Sequence, residues 1–217
     1  MSYVRETIVT SKNADETIKA SPLGVYIEDK IIKLKPFKPS VSLENILRNK
    51  SGVINYVDDV KIFASCITKR DINIEFVKVN KVSCSRIKNA ISHTEFIVER
   101  VEEDNKRPTI ICSPVNEETH KIFYGFNRAK SAVIELCILA SRLGIIDNKK
   151  IEDEIKYLEI AIKKTAGKNE LEITGVDTNF RYNTGILKYY GDNSGDNTGI
   201  KSFNFSAYIN RVKSGST

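Results

Sequence analysis

The sequence predicts a mainly β protein: a β-barrel with α-helices, followed by a C-terminal helical hairpin and a flexible tail. Three observations predict it. Short β-branched runs separated by polar turns fill the chain from about residue 3 to residue 115. An apolar stripe of helical period follows at 126–144, and six of the eleven glycines fall after residue 174. Many short strands with close turn signals favour a barrel or sandwich over a parallel α/β sheet. The predicted boundaries are a barrel over 1–118, a helical hairpin packed on it over 119–173, and a partly disordered tail over 174–217.

Eight runs read as strands: 6–10 (ETIVT), 21–27 (SPLGVYI), 30–34 (KIIKL), 52–57 (GVINYV), 59–67 (DVKIFASCI), 72–79 (INIEFVKV), 94–101 (TEFIVERV) and 109–115 (TIICSPV). Each is rich in the β-branched and aromatic residues that suit a pleated, half-buried surface. Glu28 and Asp29 separate the second and third runs as a hairpin turn, of unclear type without glycine. One helix interrupts the strands at 41–52, where Val41, Leu43, Ile46 and Leu47 stand near helical spacing. Ser40 or Ser42 supplies its N-cap and Gly52 its end. A serine-rich helix start behind Lys33, Lys35 and Lys38 combines free backbone N–H groups with positive charge, which suits a phosphate. An ordinary serine cap beside solvated lysines accounts for the same residues.

The hairpin begins with FNRAKSAVIELCILASRLG at 126–144. Ala129, Ala132, Val133, Leu136, Cys137, Leu139, Ala140 and Leu143 recur at helical spacing, with Gly144 as the C-cap. Asn148 is the expected cap of a second helix carrying Ile151, Ile155, Leu158 and Ile162 and ending near Gly167. The first helix is apolar around much of its circumference and needs a cover, from the barrel, the second helix or a partner subunit. In the tail, GDNSGDNTG (191–199) is low in complexity and too polar to order itself; a strand is expected at 201–209. Its two aspartates lack the further acidic ligands and terminal Glu of an EF-hand loop.

Charge and motifs exclude several functions. The chain has 217 residues, 34 Lys+Arg against 28 Asp+Glu, and so a net charge of +6. Such a surface attracts phosphate-bearing partners. The charges are interspersed, however, and aromatics do not alternate with basic residues on any strand, so nucleic acid is an unlikely partner and a minor alternative. No apolar run reaches the length of a membrane helix, and the first residues lack a secretory pattern, so a cytoplasmic protein is expected. The four cysteines lie far apart, with no CxxC. Only two histidines occur, His93 in NAISHTEF and His120 in NEETHK, and both read as exposed loop or strand-edge residues. No metal site and no Ser-His-Asp triad is expected from them. Neither GxGxxG nor GxxxxGK[ST] is present.

What remains is an ordered set: ASPLGV (20–25), KLKPFKPSVSLENI (33–46) and GVINYVDD (52–59). It resembles the flavin-reductase-like, FMN-binding split barrels. The downstream FNRAKSAVIELCILASRL (126–143) narrows the resemblance to an uncharacterised, mainly archaeal branch in which the barrel carries a C-terminal helical hairpin. The resemblance covers about residues 3–174; the tail has no counterpart in it.

The resemblance implies an FMN cofactor, a homodimer with the flavin at the subunit interface, and a flavin-dependent oxidoreductase of unknown substrate, with NAD(P)H as a candidate donor. No catalytic acid or base is identified, and a non-catalytic flavin or haem carrier on the same fold is the alternative. Carried onto this sequence, Ser21, Pro22, Leu23 and Gly24 offer main-chain groups to the flavin. Ser40, Ser42 and Asn45, with Lys38, hold the phosphate. Phe37 packs beside the ring, Asn55 bonds a ribityl or ring atom, and Arg128 reaches a phosphate or an anionic substrate. Read as residues alone, Pro22 and Gly24 equally mark a strand bulge or kink, Asn55 a strand-end turn and Arg128 the start of a capped helix.

Overall fold

Residues 3–68 and 72–174 are described by the computed structural model, in which the chain divides into two compact units, Met1–Tyr124 and Gly125–Thr217. The first unit runs β1 (Val4–Lys12), β2 (Ile18–Glu28), β3 (Ile31–Leu34), α1 (Val41–Asn49), β4 (Ser51–Tyr56), α2 (Val60–Thr68), β5 (Phe76–Lys78), β6 (Ser85–Ile87), β7 (Ser92–Glu102) and β8 (Thr109–Thr119). Six strands close an antiparallel barrel in the order β1-β2-β3-β8-β7-β4, and β5 and β6 form a separate hairpin.

Strand alternation sorts the side chains into two cores. Val9, Val25, Ile32, Leu34, Ile54, Phe96, Ile110 and Cys112 point into the barrel, where Leu43 and Ile46 of α1 join them. The neighbours of opposite parity point outward, and Ile8 packs there with Ile62 and Phe63 of α2 and with Ile87 and Ala90. The barrel wall is therefore buried on both faces along β1 and β4. This explains why Asn55, which faces outward, is nevertheless buried; on β7, His93 and Glu95 face the same way and are buried too, Glu95 beneath the segment at 80–82.

Three expectations for the first unit need correction. The run at 59–67 is the helix α2, not a strand. Its apolar residues Ile62, Phe63 and Cys66 are as compatible with one helical face as with a strand, and the Asp59 carboxylate caps its first turn by accepting from Lys61 N–H at 2.9 Å. The strand expected at 72–79 shrinks to Phe76–Lys78. Gly52 does not end α1; Lys50 does, in the left-handed region at φ 52°. Gly52 lies within β4 opposite Phe96, where a Cβ would come within 2.7 Å of the Phe96 ring.

The Ser40 cap stands as expected, its hydroxyl accepting from Leu43 N–H. The Glu28 turn closes as a two-residue loop, with Glu28 paired to Ile31. Asp29 and Lys30 both have positive φ, 48° and 67°, which is the type I′ pattern without glycine.

The second unit holds α3 (Arg128–Ser141), α4 (Asn148–Thr165) and α5 (Lys168–Thr174). Helices α3 and α4 pair as an antiparallel hairpin, and Asn127 ties the start of one to the end of the other, donating to Thr165 O and capping Ala129 and Lys130 N–H. Asp147 caps α4, one residue before the expected Asn148. Helix α5 was not expected from the sequence; Ile173 and Thr174 on it are buried. Beyond Thr174, the glycine-rich tail and its expected strand at 201–209 lie outside the described residues.

Candidate functional site

Strand β2 has an open edge. Residues 18–26 pair with β1 throughout, but pairing with β3 begins only at Val25, opposite Leu34. Among the described residues no strand therefore covers the other edge of Ser21, Pro22, Leu23 and Gly24. After Leu34 the chain leaves the sheet and enters α1, so the start of that helix lies beside the open edge. The hydroxyls of Ser21 and Ser42 meet at 2.6 Å and join the two segments. Two motifs 21 residues apart in sequence thus converge on one place.

The arrangement offers two kinds of donor. An unpaired strand edge presents main-chain N–H and C=O groups. A helix start presents first-turn N–H groups without an intrahelical acceptor, and carries a positive partial charge. Around it, Lys38 pairs with Glu103 at 2.8 Å, and the Arg107 guanidinium lies over the Phe37 ring, 4.6 Å from its centroid. Lys35 sits over the Tyr26 ring and Lys33 pairs with Glu28. Glu44, in the first turn, partly offsets the positive field.

The predicted site residues divide on this geometry. Ser21, Ser40 and Ser42 gather where β2 meets α1, and Phe37 and Lys38 precede the same helix. Gly24 faces Val4 of β1: a Cβ there would stand 2.9 Å from the valine methyl, so sheet packing already favours glycine.

Asn45 and Asn55 are turned into the chain instead. Asn45 is buried; its amide donates to Ser11 Oγ and Asn13 Oδ1, and its oxygen accepts from Arg48. That bond set anchors α1 to the end of β1. Asn55 is fully buried, its Nδ2 within hydrogen-bond reach of Ile8 O, Thr10 Oγ1 and Val53 O, while its Oδ1 accepts from Ile87 N–H at 2.7 Å. Arg128 is exposed on the first turn of α3, in the second unit.

Of the two histidines, His120 lies in the loop just past β8, half-buried, and His93 is not the exposed residue expected. His93 lies within β7 and is buried, and its Nδ1 meets Nε2 of His120 at 2.8 Å. The missed signal is an alternation: His93 and Glu95 on β7, and Asn116 and Glu118 on β8, recur every second residue and so share a face, with His120 one residue past the end of β8. Glu95 is fully buried. Burial pushes its carboxyl upward, but Asn116 and the N–H groups of Lys81, Val82 and Asn80 outweigh that and hold it below the ordinary glutamate value. Cys112, inside the barrel, is pushed up to about 12 by burial and is an inert thiol at neutral pH.

Residues 5–121 match the N-terminal domain of a family described as protein of unknown function (DUF447), and residues 127–175 match its C-terminal part. The chain belongs to the DUF447 family. It is 27% identical over 188 residues to an uncharacterised protein of Methanocaldococcus jannaschii, a match covering 80% of this chain and 95% of that protein. The fold is similar to the crystal structure of an FMN-bound protein of the same family from Methanosarcina mazei. That likeness has a TM-score of 0.67 and 22% identity, and covers 78% of this chain and 91% of the other. A more distant likeness, to a flavoredoxin from Methanosarcina acetivorans, has a TM-score of 0.47 and 16% identity and covers 54% and 69% of the two chains. The split-barrel architecture with C-terminal helices is thus that of the family. No helix among the described residues is long and apolar enough to cross a membrane.

Proposed function

We propose that this chain binds FMN and serves as a flavin-dependent oxidoreductase. The observation that carries the reading is the open β2 edge at 21–24 beside the Ser40-capped start of α1, joined by the Ser21–Ser42 hydroxyl pair. An isoalloxazine needs main-chain donors and acceptors along its polar edge and apolar cover for its faces. A ribityl phosphate needs N–H donors and positive charge. The bound FMN of the Methanosarcina mazei relative supports the same choice of cofactor.

In this reading Ser21, Pro22, Leu23 and Gly24 hold the ring edge through the main chain. Ser40, Ser42 and Lys38 hold the phosphate, and Phe37 covers one face. Asn45 and Asn55 act as anchors behind the site rather than as contacts, because their amides are satisfied within the chain. The flavin, when bound, supplies hydride or electron transfer, and the protein supplies orientation and exclusion of water. The proposed assembly is a homodimer with the flavin near its interface; the exposed Phe37 and Val41, 64% and 52% accessible beside the Ser40 cap, are the apolar surface that such an interface would cover. NAD(P)H is the proposed donor.

The test is the visible absorption spectrum of the purified chain after adding FMN and dialysing. A retained flavin spectrum supports the reading, and its bleaching by NADH or NADPH with turnover supports the reductase. A colourless protein that does not retain FMN removes it. Retained flavin without turnover leaves a carrier.

A further inference from the structure

We propose that His93, His120 and Glu118 form a site for a divalent transition metal of the zinc class. The register of β7 and β8 sets His93 directly opposite Glu118, so both side chains leave the same face of the sheet. His120 lies one residue past the end of β8, and its ring stacks on that of His93. One donor atom from each residue lies within 4.8 Å of the others. His93 Nδ1 and His120 Nε2 are 2.8 Å apart, with the rings within 10° of parallel. One of these nitrogens carries a proton that the other accepts, and a metal ion would replace that proton. Two imidazole nitrogens on tetrahedral zinc stand about 3.4 Å apart, given Zn–N distances of about 2.0–2.1 Å. The two nitrogens must open by about half an ångström, which the half-buried His120 can supply, and the exposed Glu118 carboxylate, within 4.8 Å and now accepting from Asn116 and Asn80, must turn toward them.

A second observation sits on the far side of the buried ring. His93 Nε2 is buried without a hydrogen-bond partner, and the Glu95 carboxylate lies 3.7 Å from it. That carboxylate is held in place by Asn116 and the N–H groups of 80–82. A metal on Nδ1 fixes the tautomer with hydrogen on Nε2, and this hydrogen then points at a fixed carboxylate. Carboxylate, histidine and metal in line is how histidine ligands are oriented and made more basic. Locally, Glu118 and Glu95 outnumber the cationic Arg86, whose guanidinium is engaged with Ile87 O and Lys88 O. Two imidazoles and one carboxylate suit zinc and its borderline neighbours over calcium or magnesium. Three protein ligands leave a fourth position for water or an anion. The site lies on the outer barrel wall and does not depend on the flavin reading.

The experiment uses the full chain, freed of any polyhistidine tag, stripped with chelator, loaded with excess zinc sulfate and dialysed at neutral pH against metal-free buffer. Bound zinc is then measured by elemental analysis. The expected result is about one zinc per chain, falling at least tenfold in His120→Ala and clearly reduced in Glu118→Gln, with the far-UV dichroism of both variants unchanged. Cobalt loaded in place of zinc should give visible ligand-field absorption that His120→Ala loses. Two results would overturn the proposal: zinc at background in the unaltered chain, or equal retention by the chain and both folded variants.

Discussion

Asn55 on β4 holds Ile87 on β6: its amide oxygen accepts the Ile87 N–H at 2.7 Å across 32 residues of sequence. The same amide nitrogen faces Ile8 O and Thr10 Oγ1 on β1. One buried side chain thus links the barrel wall to the segment that covers it. Ile87 itself is packed against Ile8 in the outer core.

Asn55→Ala is therefore expected to destabilise the first unit by about 2–3 kcal/mol, because it leaves the Ile87 N–H buried and unsatisfied. Urea unfolding checks the stability. FMN titration at low temperature, where the variant stays folded, checks the role: retained affinity marks an anchor, and selective loss of FMN marks a direct contact.

Glu95→Gln should cost about 2 kcal/mol, since an amide replaces a buried carboxylate that accepts from Asn116 and three N–H donors. The folded state holds Glu95 below its ordinary value, so its contribution is present above about pH 4.3 and is lost as pH falls through the folded value. In chelator-treated protein the gap between parent and variant should narrow below that pH. A constant gap down to the acid transition would contradict the assignment.

The two ends of the α1–β4 junction respond in opposite senses. Gly52→Ala drives a Cβ to 2.7 Å from the buried Phe96 ring and 3.1 Å from Thr10 O, and should destabilise by about 1–3 kcal/mol. Lys50→Gly relieves a non-glycine residue at φ 52° and should leave stability unchanged or raise it by up to about 1 kcal/mol. Thermal denaturation of both variants decides it.

Ser40→Ala combined with Ser42→Ala should weaken FMN binding about tenfold or more and riboflavin binding far less, because only FMN carries the phosphate. Fluorescence titration with both flavins reads the difference. Equal losses would move the phosphate away from α1.

Local pattern determined much of this protein. The β-branched runs at 6–10, 21–27, 94–101 and 109–115 fall within barrel strands, those at 30–34 and 52–57 each overrun their strand by one residue, and the Ser40 cap and the helical stripe from Ala129 to Ala140 stand, because propensity and capping act over a few residues. The ordered ASPLGV, KLKPFKPSVSLENI and GVINYVDD segments, followed by FNRAKSAVIELCILASRL, carry the resemblance to the family. Tertiary structure decided the rest. Residues 59–67 are a helix because Ile62 and Phe63 have the outer face of the barrel to cover, and an apolar run of that length is ambiguous until its partner is known. Gly52 is set by the Phe96 ring opposite, not by a helix end. Asn45 and Asn55 point into the chain because Ser11, Asn13 and Ile87 are brought to them by pairing across many residues. The meeting of His93 with His120 and Glu118 depends on the β7–β8 register. A single-residue slip would put His93 on the opposite face from Glu118, and register is a property of two strands together rather than of either alone.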